Sequence, residues 1–320
     1  MRNSFITSIG NVSVDISLRI VNPIERGKEV LASEFYLGGG GAASNLALAV
    51  ARLGVKSRFL GYVGNDYYSS LVLKELKGEG VDISFVKVIE GRTGVVVILV
   101  EEGGERTMIA YRGVNEYVSE ELITEESLRN TSILHVSSLP GNKALRILKK
   151  AKSISKSILC SYDPGSAITT EGVMDCLKYI DIFLPNLREL MELTKKASKE
   201  ECIENLLSIA PHLRIGVKEG ASGSSFYSLD SRCTSRAFKV HALDTTGAGD
   251  AFDAAFLVGL SIGLNPEEVL TFANATAALK VVRRGARGSP KLREVLNFLR
   301  EKGYEELSEE ISLRILGRSY

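Results

Sequence analysis

Short hydrophobic runs alternate with amphipathic stretches along most of the chain. Runs such as SFITSIG and SILCSYDPG are separated by stretches of helical period such as ASNLALAVARLG and KALRILKKAKSI. Strands that are apolar on both faces and separated by helices are typical of a parallel sheet covered on both sides. The pattern therefore predicts an α/β fold with a central, mostly parallel sheet.

Two segments interrupt this alternation. Residues 14–36 and 88–116 have no helical period, are rich in β-branched residues and contain turn signals such as EEGGE. Because they share this character while lying far apart, we expect them to pair into one small flap that acts as a lid. The apolar run VVVILV predicts an open sheet edge on that lid, and an open apolar edge favours a homodimer through the lid.

Length, composition and charge narrow the class of protein. A chain of 320 residues with 44% hydrophobic residues can bury a sizeable core, and we predict one domain over residues 1–320 with the lid inserted in it. The 40 basic and 39 acidic residues leave a net charge of +1, so the chain lacks the excess of positive charge that is typical of nucleic-acid-binding proteins. No run approaches the roughly 18 apolar residues of a membrane span, and the first residues do not resemble a secretion signal. We expect a cytoplasmic protein with a small-molecule partner and no membrane contact.

The stretch DTTGAGD, residues 244–250, is the strongest candidate for chemistry. Its small side chains leave backbone amides uncovered where a helix begins, and a helix N-terminus favours anions. Asp250 follows in the first turn, which suits a general base that takes a hydroxyl proton during phosphoryl transfer. Alternatively, Asp250 is an ordinary first-turn acid and the glycines only turn the chain. The chain contains no P-loop motif.

A second glycine-rich stretch, residues 38–43, has two alternative interpretations. Gly38, Gly40 and Ala43 are spaced as in a dinucleotide fingerprint, but they follow a flap-like strand, and the acid at Asp66 is poorly placed for a ribose. The glycines could also simply allow the following helix to pack closely. A dinucleotide oxidoreductase is therefore the weaker interpretation.

Together the two motifs resemble the signatures of the ribokinase-like (PfkB) carbohydrate kinases. DTTGAGD before a small-residue helix is similar to that family's C-terminal signature, and residues 40–45 are similar to its N-terminal G-G-x-x-x-N. The resemblance implies a three-layer α/β sandwich with a central, mostly parallel sheet and a small antiparallel lid, and ATP-dependent phosphorylation of a sugar hydroxyl. It implies Asp250 as the general base; Gly247, Ala248 and Gly249 as the anion hole; and Asp15, Gly40, Gly41, Asn45 and Asp250 as acceptor-binding residues.

The resemblance also implies sites for the nucleotide and for metals. Asn186 and Glu189 match the family's N-x-x-E, which orders Mg²⁺ largely through water, although a plain helix start would look the same. The other implied positions are Lys218, Gly220, Gly223 and Asn274 for the nucleotide, and Asp244 and Ser289 for a monovalent cation such as K⁺. A hairpin turn and a buried helix asparagine are the structural alternatives for the nucleotide residues.

The acceptor is less well specified. Ala42 stands where ribokinase has a lysine, while Arg112 lies in a Tyr-Arg-Gly triplet that resembles a strand meeting a sugar-acid carboxylate. We predict a pentose, a hexose or a keto-deoxy sugar acid. The turn at Asp163 resembles one in archaeal-type nucleoside kinases of the family, so a nucleoside kinase is the alternative. A non-catalytic sugar- or nucleotide-binding protein is the more remote one.

Overall fold

The computed structural model describes residues 4–101 and 106–317. Its strands are β1 Phe5–Gly10, β2 Ser13–Ile20, β3 Ala32–Gly40, β4 Ser57–Leu60, β5 Tyr62–Gly64, β6 Lys87–Ile89, β7 Gly94–Val100, β8 Arg106–Tyr111, β9 Thr131–Ser137, β10 Leu159–Asp163, β11 Ile182–Phe183, β12 Arg214–Lys218, β13 Ser224–Tyr227 and β14 Arg232–Ser235. Its α-helices are α1 Ala42–Arg52, α2 Tyr67–Gly78, α3 Gly141–Ile154, α4 Val173–Cys176, α5 Leu187–Thr194, α6 Lys199–Ile209, α7 Ala248–Ser261, α8 Pro266–Val281, α9 Leu292–Glu301 and α10 Glu305–Leu316.

The main sheet has eight strands in the order β14-β13-β12-β11-β10-β9-β1-β4. The strands from β4 to β12 in this order pair in parallel, and β13 and β14 extend the sheet as antiparallel strands. The predicted α/β fold with a mostly parallel sheet is confirmed. Because β1 has β4 on one side and β9 on the other, the sheet has a topological switch point at the carboxyl end of β1, where open α/β sheets bind ligands.

Helices cover both faces of this sheet. One core cluster packs α1, α7, α8, α9 and α10 through buried side chains such as Leu46, Phe256 and Leu296. The other packs α3, α5 and α6 through side chains such as Ile147 and Leu206. The result is the expected three-layer sandwich. Within the described residues, no helix has the length and apolar character needed to span a bilayer.

The small sheet has the order β3-β2-β7-β8 and is built from the two segments that lack a helical period. β2 pairs with β3, and β7 with β8, in antiparallel hairpins, while β2 and β7 join the hairpins in parallel. The expectation that VVVILV forms an open edge is wrong, because this run lies in β7, which pairs with β2 on one side and β8 on the other. The returning hairpin strand β8 covers it, so β3 and β8 are the edges.

Candidate active site

The N-terminus of α7 forms the centre of the site. Gly247 precedes the helix with φ of 77°, and a Cβ there would lie 2.2 Å from the Ala286 carbonyl oxygen. Only glycine fits this left-handed conformation and close approach. Ala248 then begins the helix, but its amide, predicted as part of the anion hole, donates to the Thr245 carbonyl at 3.2 Å. By helix geometry the amides of Gly249 and Asp250 point out of the first turn. The end of α7 can therefore receive an anion.

Asp250 sits at this helix end against Asn45 of α1. The Asn45 Nδ2 donates to Asp250 Oδ2 at 2.8 Å, and the Asn45 Oδ1 is buried without a hydrogen-bond partner among the described residues. Burial, assisted by Asp163 and Asp15, raises the pKa of Asp250 to about 6, although the Asn45 hydrogen bond and Lys218 lower it. A carboxylate with this pKa is ionised at pH 7 and still basic enough to accept a proton.

A cleft of about 200 Å³ lies in front of Asp250, between the main sheet and the lid. Asn11 follows β1 and Ser138 follows β9, so the cleft is at the switch point of the sheet. The predicted residues Asp15, Gly41, Asn45, Arg112 and Gly247 line it, together with Ser13, Asn115 and Ser166, which the sequence did not indicate. A small polar molecule in this cleft would lie against the Asp250 carboxylate.

Asp15 lines the lid side of this cleft, whereas Gly40, predicted to bind the acceptor, does not line it and packs against the Asp15 carboxylate instead. Asp15 is buried and accepts a hydrogen bond from Ser13 Oγ at 2.9 Å, while burial raises the pKa of its carboxyl. A Cβ on Gly40 would lie 2.1 Å from Asp15 Oδ1, which explains why the strand has glycine there. The glycine at the end of β3 therefore makes room for the carboxylate of Asp15.

Arg112 is the one cationic side chain lining the described part of the cleft. It is exposed, and among the described residues it has no ion-pair partner. A guanidinium without a protein counterion is suited to bind a carboxylate or a phosphate in two-point fashion.

A second, more apolar groove of about 440 Å³ lies on the other side of the α7 terminus. The predicted residues Lys218, Gly220, Gly223 and Asn274 all line it, as do Ala248 and Gly249. Because Gly247 and Asp250 line the first cleft and Ala248 and Gly249 line this groove, the two spaces meet at the start of α7.

Asn274 and Gly223 shape the wall of this groove. The Asn274 Nδ2 donates to the Ser235 carbonyl at 3.1 Å, and its Oδ1 accepts from Ser224 Oγ at 3.1 Å. Gly223 has φ of 115°, and a Cβ there would lie 2.1 Å from the Ser235 oxygen. The amide of Asn274 therefore ties β13 to the end of β14 at the edge of the groove.

Lys218 lies at the base of the groove in a buried charge cluster. Its Nζ contacts Asp163 Oδ2 at 2.8 Å and Asp253 Oδ1 at 3.1 Å. Although burial disfavours the ammonium, the two carboxylates outweigh it and raise the pKa of Lys218. Burial also raises the pKa of Asp253, whereas Lys218 outweighs the burial of Asp163 and lowers its pKa. The ammonium therefore stays charged close to Asp250.

Asn186 and Glu189 form a reciprocal capping box at the start of α5. Asn186 Oδ1 accepts from the Glu189 amide, and Glu189 Oε2 accepts from the Asn186 amide, each at 2.8 Å. Asn186 pairs with Lys218 in a parallel β-bridge, so the capping box lies beside the Lys218 cluster. Burial and Asp163 raise the pKa of Glu189. Among residues 4–101 and 106–317, no group of three or more His, Cys, Asp or Glu side chains is placed to hold a metal ion. Mg²⁺ prefers oxygen ligands and keeps several of its own waters, so the Glu189 carboxylate and the Asn186 amide oxygen have the chemistry to order those waters.

The residues predicted to hold a monovalent cation have protein partners instead. Asp244 Oδ1 accepts from the Thr246 amide and Oδ2 from the Gly285 amide, each at 2.9 Å, and the Ser289 carbonyl accepts from Arg52 Nη1 at 2.8 Å. The Asp244 carbonyl accepts from Lys280 Nζ at 2.8 Å. Burial lowers the pKa of Lys280 to about 8, which leaves it largely charged at pH 7.

Two arginines belong to the site that no motif indicated. Arg106 of the lid strand β8 reaches Thr246 Oγ1, Thr245 Oγ1 at 2.5 Å and Asp244 Oδ1 at 3.3 Å. Arg287 is buried beside the glycines at the end of β3 and donates to Glu75 Oε2 at 2.5 Å and to Ser44 Oγ at 2.9 Å. Each contact joins residues far apart in sequence, so no local pattern could reveal it.

The chain is similar to proteins of one family, the pfkB carbohydrate kinases. A model of the pfkB family carbohydrate kinases matches residues 3–292. The ATP-dependent ribose-1-phosphate kinase of Halopiger xanaduensis is 33% identical over 298 residues, which are 93% of this chain and 98% of that protein.

Two solved ribokinase structures superpose over most of the chain. The Thermotoga maritima ribokinase is 30% identical with a TM-score of 0.84 and covers 93% of this chain and 99% of its own. The Arabidopsis thaliana ribokinase, solved with ribose and ATP, is 26% identical with a TM-score of 0.83 and the same two coverages.

Proposed function

The chain belongs to the pfkB family of carbohydrate kinases and is an ATP-dependent sugar kinase. From that premise we propose which residues transfer the phosphoryl group and which acceptor they select. The observation that carries the proposal is the position of Asp250. Its half-buried carboxylate lies where the polar cleft and the apolar groove meet, beside the outward amides of the first turn of α7.

We propose that Asp250 is the general base. It takes the proton from the acceptor hydroxyl while that oxygen forms a bond to the γ-phosphorus and the bond from phosphorus to the ADP oxygen breaks. The amides of Gly249 and Asp250, at the positive end of α7, stabilise the charge on the phosphoryl oxygens. Gly247 holds the helix end close to the Ala286 carbonyl, so the amides are already in place before the reaction.

The acceptor is oriented by three predicted residues. Asp15 accepts hydrogen bonds from sugar hydroxyls, and Gly40 leaves room for that carboxylate. The Asn45 Oδ1, which has no partner among the described residues, accepts a hydrogen bond from a further hydroxyl beside Asp250. The Asp15 carboxylate and the Asn45 amide should need little rearrangement when the acceptor binds, because their hydrogen bonds with Ser13 and Asp250 already fix their orientation.

The nucleotide lies along the apolar groove. The walls formed by Gly220, Gly223 and Asn274 hold its base and ribose, and Lys218 lies near its phosphates. ATP would supply the phosphoryl group, and a bound Mg²⁺ would neutralise part of its phosphate charge. Asn186 and Glu189 are the residues that would order the waters of this Mg²⁺.

The acceptor is proposed to carry an anionic group. Among the residues that the structure describes, Arg112 has no acidic partner, and Ser138 and Ser166 line the same cleft with hydroxyl groups. The Halopiger relative is named for ribose 1-phosphate, an acceptor of this class. We therefore favour a sugar phosphate or a sugar acid over a neutral sugar. A nucleoside is the second candidate, because Tyr111 lines the same cleft with 58% of its surface exposed and could stack on a base.

A direct measurement of ADP release over a panel of acceptors tests this choice. The panel contains ribose 1-phosphate, a 2-keto-3-deoxy sugar acid, ribose, fructose and adenosine. We expect the highest kcat/KM for an anionic sugar and a loss of about 10- to 100-fold for it in Arg112→Met, the cost of one charged hydrogen-bonded contact. Arg19→Met is the matched control, since Arg19 is a lid arginine paired with Glu34 outside the cleft. A higher kcat/KM for ribose or adenosine, unaffected by Arg112→Met, would contradict the proposal.

We extend the proposal to assembly and location. The lid leaves large apolar side chains exposed, including Phe35 and Ile109 on its two edge strands, which favours a homodimer through the lid. Sedimentation of the chain as a monomer at micromolar concentration would contradict the homodimer.

A cytoplasmic location fits an enzyme that consumes ATP and has four free cysteines, three of them buried. Cell fractionation tests the location.

A further inference from the structure

Lys280 is a lysine with no exposed surface, in the last turn of α8. Its Nζ donates to the Asp244 carbonyl at 2.8 Å and to the Arg283 carbonyl at 3.3 Å. Both acceptors are main-chain oxygens. A buried ammonium is costly unless it is paired, so this lysine needs a structural or functional reason.

The two carbonyls belong to the loops that flank the start of α7. Asp244 begins the stretch that leads to Gly247, and Arg283 begins the loop whose Ala286 carbonyl packs against Gly247. The Val281 carbonyl accepts from the amides of Leu243 and Asp244 at 2.8 and 3.0 Å, and the Asp244 carboxylate accepts from the Gly285 amide. The Lys280 ammonium is therefore one of the cross-links between these two loops.

Main-chain carbonyls converging on one point are the ligands that proteins offer to monovalent cations. Here a side-chain cation already occupies that point, and the Asp244 carboxylate is bonded to two amides. The residues present therefore do not fit the K⁺ that the family resemblance implies at Asp244 and Ser289.

We propose that the Lys280 ammonium is a built-in cation that holds the two loops around the anion hole, and that this kinase works without a bound monovalent cation. Lys280 is a positioning residue in this scheme, because it acts through the loop that places Gly247 and the first amides of α7. The inference rests on the kinase activity proposed above.

The salt dependence of the unmodified enzyme is the first test. Turnover is measured by direct detection of ADP in KCl, NaCl and choline chloride at equal ionic strength, without coupling enzymes that themselves need potassium. We expect the three rates to agree within about 2-fold, because no exchangeable cation takes part. A rate at least about 10-fold higher in KCl than in the other two salts would overturn the inference.

The second test removes the ammonium. Lys280→Ala leaves the two carbonyls without their cation, and we expect kcat to fall on the order of 10- to 100-fold through misplacement of the anion hole, with KM for the acceptor nearly unchanged. Potassium or ammonium ions are expected to restore part of the loss, whereas choline is not. Thermal unfolding gives a second readout, since only this variant should gain stability specifically from KCl or NH₄Cl.

Thr276→Val is the matched control for these measurements. Thr276 is equally buried on the same helix, and within the described part of the chain its hydroxyl donates to the Phe272 carbonyl of that helix and to no other element. It should lower stability without any potassium-specific response. Equal turnover of Lys280→Ala and the unmodified enzyme, or a loss that no small cation relieves in rate or in unfolding temperature, would overturn the inference.

The outcomes separate this inference from the proposed function. If Lys280→Ala does not fold, the salt dependence of the unmodified enzyme decides. If no acceptor is phosphorylated in any salt, the proposed acceptor class fails. The cation inference is then decided by unfolding, which it predicts to be equal in KCl and NaCl for the unmodified chain and potassium-stabilised in Lys280→Ala.

Discussion

Exchange of Gly247 for alanine tests how the anion hole is held. The residue has φ of 77°, and the added Cβ would lie 2.2 Å from the Ala286 oxygen. A relaxed contact between carbon and oxygen needs about 3.3 Å, so the helix end and the 283–289 loop must separate by about 1 Å. We expect both the stability of the fold and the rate of transfer to suffer.

The structure gives the size of both effects. The left-handed conformation costs an alanine about 1–2 kcal/mol, and the overpacked contact adds about 1–3 kcal/mol. With an unfolding entropy of about 2.1 cal/mol/K per residue, 320 residues lose roughly 1.5 °C of melting temperature per kcal/mol, which predicts a decrease of about 3–7 °C. A displacement of about 1 Å at the anion hole is expected to lower kcat on the order of 100-fold.

Gly249→Ala, two residues further along in the first turn of α7, is the matched control. A Cβ on Gly249 would have its nearest neighbour, Lys218 Nζ, at 3.8 Å, which is an ordinary contact. The free enzyme should therefore keep its melting temperature, while the methyl group obstructs the approach of the phosphoryl oxygens and lowers kcat at least about 10-fold. Thermal unfolding and steady-state kinetics of the two variants, side by side, measure the difference.

The refuting results are distinct for the two glycines. A Gly247→Ala enzyme with unchanged melting temperature and unchanged kcat would show that the contact with Ala286 does not hold the helix end. A Gly249→Ala enzyme with full turnover would show that phosphate does not approach the first turn of α7.

Two further predictions concern the acceptor cleft. The Asn45 hydrogen bond lowers the pKa of Asp250, so Asn45→Ala should raise that pKa. The acid limb of the pH profile of kcat/KM, expected near pH 6 in the unmodified enzyme, should then move to higher pH. A limb at the same pH in both enzymes would contradict the assignment of Asp250 as the titrating base. Asp15→Asn should raise KM for the sugar about 10-fold or more and leave KM for ATP unchanged, and equal changes in both constants would argue against a role of Asp15 in acceptor binding.

The fold was largely predictable because its signals are local. The alternation of apolar runs and helical stretches indicated the parallel sheet, and the two β-rich segments indicated the strands of the small sheet. The pairing of those strands was not predictable, since the sequence of a strand does not specify which other strand it pairs with. VVVILV was therefore assigned to an edge although β8 pairs with it.

The proximity of the candidate residues was predictable where one motif carries several of them. DTTGAGD and the G-G-x-x-x-N stretch predicted that Asp250, Gly247 and Asn45 lie together, and the structure has them around one cleft, while their roles stay predictions. Arg106 and Lys280 could not be found this way, because their contacts with the loop at Asp244 join residues 36 or more positions apart. A lysine in a helix is also usually exposed, so nothing in the sequence marks Lys280 as buried.

The most direct test of the account compares Asp250→Asn with the unmodified enzyme in two measurements, ATP affinity by calorimetry and turnover with the best acceptor. Asparagine keeps the shape of the side chain and the helix amides but cannot accept the proton. We predict nearly unchanged ATP affinity and a fall in kcat of about 100- to 10,000-fold. Turnover within a few-fold of the unmodified enzyme would contradict the assignment of Asp250 as the base at the helix terminus.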